Sequence, residues 1–329
     1  MSNSNLRSTP KTMVLGTLPF GSVLDTQASN LIISEAWELG VRAFDVAILY
    51  GNGLASQILG KNLKGKSERP IFCCSIGLEQ VADRNGVFSV GIVPLTRDNI
   101  IKSVDQLLSK LLIDKIDVLN IHAPDISTPL EETLGTLKNL QELGKIGQIS
   151  YSNVEPEYLD TIQIASLELD VRLDRIQFHG NILEQKLLQE FSAEKYQDLE
   201  IFCYRPLARG LLTREYTLEN IRPENSRASR GWRLNTYLTP EILNHIERFD
   251  QLAKKINVPK AQLSLVWLFE IARVDGVVFG VRTSDQLREI FPYWSTKVST
   301  DQLSEIRAFA NDPDFITLSK KLPLIHFEK

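Results

Sequence analysis

The sequence predicts an α/β fold, a (β/α)8 barrel of the TIM type in one domain, with a long loop after the seventh strand. Three observations carry this. Eight short apolar runs of strand length recur along the chain. Most are followed by a stretch whose apolar residues repeat at helical spacing. Strands that alternate with helices pair in parallel, and eight of them close into a barrel. The third observation is that the runs from the second to the eighth each end near a polar side chain. A barrel gathers such ends on one rim, which helix-face accidents would not do.

The elements follow in order. Met13–Gly16 is a first strand. Asp25 or Thr26 opens a helix with Ala28, Leu31, Ile32, Ala36 and Leu39 on one face, closed by Gly40. Val41–Phe44 is a second strand, with Asp45 as the carboxylate at its end. After it come Tyr50 and a tight loop, Gly51-Asn52-Gly53, whose glycines allow φ > 0. A helix from about Leu54 to Leu63 follows. Pro70–Cys74 is a third strand, and a loop containing Gly77, Gly86 and Gly91 leads to a helix capped by Thr96. That helix repeats Ile100, Ile101, Val104, Leu107, Leu108 and Leu111.

Ile116–Ile121 is a fourth strand. Thr128-Pro129-Leu130-Glu131 reads as a capping box with proline at the first helical position, and the helix ends at Gly144. Ile146–Tyr151 is a fifth strand, and Glu155-Pro156 starts its helix. Asp174–Phe178 is a sixth, with a helix from about Leu183. Leu199–Cys203 is a seventh, and Gly276–Phe279, with Ser284 opening its helix, is the eighth. Between the last two strands lies Tyr204–Leu238, a stretch of little periodicity holding seven arginines from Arg205 to Arg233. Long loops of this kind are usually functional or disordered. Helices resume at Thr239-Pro240 and at Pro259. No domain boundary is placed in the loop, because the eighth strand is needed to close the sheet. The expected organisation is a disordered polar N-terminus over 1–12 and one domain over 13–329.

Composition limits the function classes. The chain has 329 residues, 43% hydrophobic and 24% charged, an ordinary globular balance. Its net charge of −4 lends nucleic-acid binding no general electrostatic support. The polar start lacks the apolar core of a signal peptide, and no apolar run is long enough to span a bilayer. Three cysteines, Cys73, Cys74 and Cys203, are too few for a disulfide framework and fit a reducing cytoplasm. Cys73 and Cys74 read as buried strand residues, and His245 as an ordinary helix residue. No GxGxxG follows a strand, so a Rossmann cofactor site is not expected.

The expected rim holds Asp45, Tyr50, Ser75, His122, Ser152, Asn153, Gln177, His179, Tyr204 and Arg282. A tyrosine held beside a carboxylate is a candidate proton donor. The stretch Phe44-Asp45-Val46-Ala47, Tyr50-Gly51-Asn52-Gly53, Ser56 and Leu59-Gly60 resembles the aldo-keto reductase pattern FDTAxxYGNGxSExxLG. The resemblance continues through Ile116–Asp125, Ser152-Asn153, Gln177, Tyr204–Leu212 (similar to YSPLARGLL) and Gly280–Ser284. It covers about Val14 to Phe291. It implies reduction of an aldehyde, ketone or sugar-like carbonyl by hydride from NADP(H), with NAD(H) as the alternative. Tyr50 would donate the proton and His122 would orient the carbonyl. Ser152, Asn153 and Gln177 would hold the nicotinamide amide, and Tyr204 would stack on its ring. Leu207, Gly210, Gly280, Arg282, Gln286 and Glu289 would hold the rest of the cofactor, Arg282 together with the helix N-terminus at Ser284, which favours a phosphate. The other arginines of the long loop read mostly as solvated, with one or two meeting the cofactor pyrophosphate or an anionic substrate.

The chain departs from that pattern at one chemical position. The family's lysine, in a TKxG-like segment, falls on Ser75 of Cys73-Cys74-Ser75-Ile76-Gly77. Without an ammonium there, Asp45 loses a partner and Tyr50 loses a cation that would favour its anion. Smaller departures lie at Gln57 or Ala55, at Ile290 and at Gly180-Asn181. The alternative reading is therefore a cofactor-binding barrel with degenerate catalysis, regulatory or accessory, or one with an altered reaction in small-molecule biosynthesis. No metal site and no membrane or nucleic-acid partner is expected. Oligomeric state and the substrate itself are not encoded in any recognisable motif.

Overall fold

The computed structural model describes residues 11–82, 88–213, 216–224, 226, 229 and 237–321. Residues 1–10, Gly86 and the loop arginines Arg214, Arg227, Arg230 and Arg233 lie outside them. In chain order the elements are β1 (Thr12–Gly16), α1 (Thr26–Glu38), β2 (Ala43–Ala47), α2 (Leu54–Leu63), β3 (Ile71–Ile76), β4 (Leu78–Ala82) and β5 (Phe88–Ile92). Then come α3 (Arg97–Leu111), β6 (Ile116–Ile121), α4 (Leu130–Glu142), β7 (Ile146–Ser152), α5 (Pro156–Glu168), β8 (Arg175–His179) and α6 (Lys186–Phe191). The chain continues with β9 (Glu200–Tyr204), α7 (Pro240–Ile256), α8 (Lys260–Val266), β10 (Gly276–Phe279), α9 (Ser284–Ile290), α10 (Thr300–Ala310) and α11 (Pro313–Lys321).

Eight strands close a barrel in the order β1-β10-β9-β8-β7-β6-β3-β2. Every pairing within it is parallel. Residues therefore alternate between the barrel interior and the layer under the helices. The outer layer is the large core, with Leu15, Phe44, Leu119, Ile149, Ile176 and Cys203 against the helices. The inner layer is a small separate cluster of Val14, Ala43, Cys73, Val118, Phe202 and Val278, topped by Tyr204. Gly276 has no side chain because Phe202 occupies the space; a Cβ there would lie 2.1 Å from the ring. Beneath that cluster Arg175 lies 3.6 Å over the Phe202 ring and pairs with Glu200 at 2.6 Å. The interior is thus filled at the bottom and open only at the C-terminal rim.

Several boundaries differ from expectation for physical reasons. Asp45 lies inside β2, not after it, because the strand runs on to Ala47 and pairs Ala47 with Ser75. The buried face of α1 is Ser29, Ile32, Ile33, Ala36 and Trp37, while Leu31 is 61% exposed. Ile33 and Trp37 take the core-facing side instead. The capping box at Thr128 does not form: Thr128 Oγ1 donates to Asp125 Oδ2 at 2.6 Å and Pro129 takes the N-cap position. The region after β3 is not a plain loop but an antiparallel hairpin, with Gln80 opposite Val90. The helix of the sixth unit starts at Lys186, not Leu183, because 181–184 form a bridged turn. Two further helices, α10 and α11, pack against α7 near the C-terminus.

Candidate active site at the C-terminal rim

One cavity of about 490 Å³ opens at the C-terminal ends of the barrel strands. Asp45, Tyr50, His122, Ser152, Asn153, Gln177, Tyr204, Leu207, Gly210, Gly280, Arg282, Gln286 and Glu289 all line it. Of the expected rim and site residues, two are absent from its walls, His179 and Ser75. Ser75 lies below them, 1% exposed, where Asn120 Nδ2 donates to its Oγ at 2.9 Å.

Local chain geometry sets the Tyr50 position. A tight 3-10 turn, Tyr50–Gly53, carries Gly51, Asn52 and Gly53 at φ of 55°, 55° and 81°. A Cβ on Gly51 would sit 2.8 Å from the Phe20 carbonyl oxygen, so both conformation and space require glycine there. The turn brings the Tyr50 ring edge-on to His122, with centroids 6.1 Å apart. Burial, then the nearby Asp45 and Tyr204, raise the Tyr50 hydroxyl well above its ordinary range, while the Arg205 guanidinium opposes them. Burial lowers His122 to about 4, so its imidazole is neutral at pH 7. A neutral imidazole can donate a hydrogen bond to a carbonyl oxygen without giving up a full proton.

Asp45 is buried, and burial raises its carboxyl to about 7, with a hydrogen bond from Gln177 opposing the rise. Its Oδ2 meets no hydrogen-bond partner among the described residues. Among the described residues no lysine lines the cavity. Lys61 and Lys64 are exposed on or just after α2. The cation that the resemblance implied beside Asp45 is therefore not supplied by β3 or α2.

The opposite wall is a chain of hydrogen bonds. Ser152 Oγ donates to the Gln177 carbonyl at 2.8 Å. Asn153, at φ 56°, donates from Nδ2 to the His122 carbonyl at 2.8 Å, and its Oδ1 accepts from the Tyr204 hydroxyl. This ties the ends of β6, β7 and β9 together across the rim. Apolar side chains of Leu18, Val23, Leu49, Leu78 and Val90 form the outer wall, the last two from the hairpin. Asp125 fastens the chain between that hairpin and α3. It accepts from Leu95 N at 2.8 Å and from Ser127 and Thr128, bonds that outweigh burial and hold its carboxyl at about 2.

Beyond Tyr204 a second polar cluster appears that sequence reading missed. Glu184, 4% exposed, accepts from Asn181 Nδ2 at 2.6 Å and from the Tyr237 hydroxyl at 2.8 Å. Arg209 Nη1 lies 3.7 Å from Glu184, and its guanidinium lies 4.2 Å over the Tyr237 ring. His179 Nε2 is 3.6 Å from the same carboxylate. Two of its partners, Arg209 and Tyr237, come from later segments, so the local pattern around Glu184 does not mark it. The arginine-rich loop is therefore only partly solvated: Arg205 and Arg209 both line the cavity. The far end is formed by Arg282, Gln286 and Glu289. Gln286 Oε1 accepts from the Arg282 backbone N–H at 2.8 Å, and Thr283 caps α9. His245 is a helix residue of α7 stacked on Phe315, as expected, and the three cysteines are buried and free. No helix among the described residues is long and apolar enough to cross a membrane, and no metal-binding group of side chains occurs among them.

The cavity volume lies in the range of ligand clefts. The tyrosine ring midway, the amide-bearing wall beside it and buried Arg209 Nη1, which has no hydrogen-bond partner among the described residues, suit a flat ring joined to an anionic chain.

Comparison with known proteins agrees with this geometry. The family model described as "Aldo/keto reductase family" matches residues 12–311. The aldo-keto reductase yakc of Schizosaccharomyces pombe, whose name carries NADP(+), is 28% identical over 299 residues, spanning 88% of this chain and 84% of that one. The L-glyceraldehyde 3-phosphate reductase of Escherichia coli (strain K12) is 28% identical over 301 residues, spanning 87% of this chain and 85% of that one. A solved glycerol dehydrogenase from Gluconobacter oxydans superposes with a TM-score of 0.76 at 23% identity, covering 90% of both chains. At that identity the likeness is one of fold.

Proposed function

Because this chain belongs to the aldo/keto reductase family, and is an oxidoreductase of that NADP(H)-dependent kind, we propose that it reduces a small-molecule aldehyde, ketone or sugar-like carbonyl, with Tyr50 as proton donor. The observation that carries this is the convergence of Tyr50 and His122 with Asn153, Gln177 and Tyr204 on one cleft that runs on to Arg282. The Escherichia coli relative, named as a glyceraldehyde phosphate reductase, supports a small carbonyl. Cofactor choice leans on Arg282 and on the yeast relative's name.

NADPH, when bound, supplies the hydride. Ser152, Asn153 and Gln177 would hold its amide, and Tyr204 would stack on its ring. Leu207 and Gly210 wall the middle of the cleft, where Arg209 would meet the phosphates, and Gly280, Arg282, Gln286 and Glu289 would take the adenosine end. As the carbonyl carbon is reduced, Tyr50 would pass its hydroxyl proton to the carbonyl oxygen. The alcohol leaves, and the phenolate regains a proton from water entering the open cleft. His122, neutral because it is buried, donates a hydrogen bond to the carbonyl oxygen and fixes its direction. Leu18, Leu78 and Val90 exclude water from the carbonyl side.

The test is cofactor titration followed by a panel of carbonyl compounds. NADPH is expected to quench tryptophan fluorescence, and oxidation of NADPH is expected with at least one aldehyde. Tyr50→Phe should retain the quenching and lose roughly 10²–10⁴-fold of the rate, the span of general acid catalysis. A phenylalanine variant as active as wild type would remove Tyr50 as donor.

A second reading has its own observation. Ser75 is held by Asn120 and bears no charge, so the barrel could bind NADP(H) and turn over little, as an accessory protein does. Quenching by NADPH with no oxidation of it by any carbonyl would favour that reading over the first.

A further inference from the structure

Tyr50 becomes an anion at the moment it gives up its proton, so the site needs a positive group facing it. The charged and titratable groups around its ring are Asp45 on β2, His122 after β6, and Tyr204 and Arg205 at the end of β9. Asp45 repels a phenolate when ionised. His122 is neutral. Ser75, on β3, has its hydroxyl engaged by Asn120. Among the described residues Arg205 is the cation that acts on the Tyr50 hydroxyl.

Arg205 feels the same Glu184 carboxylate as its neighbour Arg209, but from beyond ion-pair distance. Arg209 faces Glu184 and the Tyr237 ring. Arg205 makes no ion pair among the described residues, and its Nη1 is sealed from solvent without a hydrogen-bond partner there. Its guanidinium lies 5.4 Å from the Tyr204 ring, and it lines the same cavity as Tyr50. The side chain is also held there at a cost. Arg205 adopts φ 59°, a left-handed backbone that a long side chain disfavours. Three bonds enforce it: the Arg205 carbonyl accepts from Asn181 Nδ2 at 3.2 Å and from Ala208 N at 3.0 Å, and the Pro206 carbonyl accepts from Ser264 Oγ at 2.8 Å. A strained backbone and a guanidinium nitrogen sealed without a hydrogen-bond partner, both at one half-buried residue inside the cleft, mark a group kept for something other than stability.

We propose that Arg205 is the positioning cation of this site, placed to stabilise the Tyr50 phenolate from the β9 side. This rests on the reading of Tyr50 as proton donor. The burden of charge is thereby moved from the β3 wall to the β9 wall of the barrel. Its field also favours Tyr50 as an acid at neutral pH, the direction in which Arg205 acts on that hydroxyl.

The experiment compares wild type with Arg205→Met, Arg205→Lys and Arg205→Met combined with Ser75→Lys. Methionine keeps the stem packed on Tyr204 and removes the charge; thermal melts report folding for each variant. The expected result for Arg205→Met is a kcat for aldehyde reduction lower by about tenfold or more, with the NADPH dissociation constant from fluorescence quenching changed less than roughly threefold. In the alcohol-oxidising direction, where Tyr50 must be ionised, the alkaline rise of the rate should move up by about one pH unit, since a tenfold change equals one unit. Arg205→Lys should keep most of the rate, and Ser75→Lys should restore a good part of it to the methionine variant by returning a cation to the other wall. An unchanged kcat and pH profile in Arg205→Met would overturn the assignment. So would a tenfold weaker NADPH affinity with kcat unchanged, which would make Arg205 a cofactor anchor. A wild type that binds NADPH and reduces no carbonyl would remove the proposed function and this assignment with it, whereas an active wild type with an indifferent methionine variant removes this assignment alone.

Discussion

At the scale of single residues, Asp45 and His122 carry opposite pH signatures, and both come from burial. Asp45 rises from 3.8 to about 7, so its protonated form stabilises the fold at low pH and that contribution is lost as pH rises through about 7. His122 falls from 6.5 to about 4, so its contribution is present above 6.5 and lost as pH falls through about 4. Between these limits the two slopes oppose each other. Replacing Asp45 by Asn removes one of them and leaves no buried carboxylate to ionise. Thermal melts from pH 4 to 8 should then show Asp45→Asn gaining on wild type as pH rises, with the largest gain above pH 7. A constant difference across that range would mean that Asp45 is ionised in the folded state throughout. The identities of these residues were readable from the sequence, as was the uncharged Ser75. Their burial, which sets the sign of each shift, was not.

At the scale of elements, the hairpin β4–β5 is the part of the site that local pattern did not disclose. Its strands are five residues each, and Glu79 and Gln80 sit where an alternating apolar pattern would be read. The glycines there suggested only a loop. Tertiary contact decides otherwise, because Leu78 and Val90 are drawn over the mouth of the cavity. Val90 is 39% exposed, so a polar residue there costs the fold little. Val90→Asp should therefore raise KM for an apolar aldehyde by several-fold, since each lost apolar contact weakens binding by about 1 kcal/mol. NADPH affinity should stay the same. An equal change in both would place the hairpin against the cofactor. The failed capping box at Thr128 has a related cause: the hydroxyl is claimed by Asp125, whose four acceptor bonds tie two rim loops together. A short motif cannot reveal a competitor for its own hydrogen bond when that competitor's value depends on a distant backbone N–H.

At the scale of the whole molecule, the closed barrel makes the site a property of the ring and not of one element. The rim residues come from β1, β2, β7, β8, β9 and β10, with His122 just after β6, the Tyr50 turn and the loops after β9 and β10 adding to them. A ligand bridging these strand ends binds only the folded ring, so it must stabilise the molecule against unfolding. NADPH at about 100 times its dissociation constant should add about 2.7 kcal/mol, visible as a melting temperature that rises with cofactor concentration. A melting temperature indifferent to millimolar NADPH would argue against a cofactor held across the rim.

By itself the sequence determined the barrel and the residues at its rim. Period-two and helical spacings are local, and a strand that ends in a polar residue keeps that residue wherever the strand is placed. Closure into a ring follows from the count and alternation of those elements. What only the tertiary structure decided is which polar groups face one another and which remain unpaired: Ser75 under Asn120, Arg209 opposite Glu184, Arg205 left charged beside Tyr50. Those pairings join segments far apart in the chain. Their electrostatics depend on burial, which no local pattern encodes.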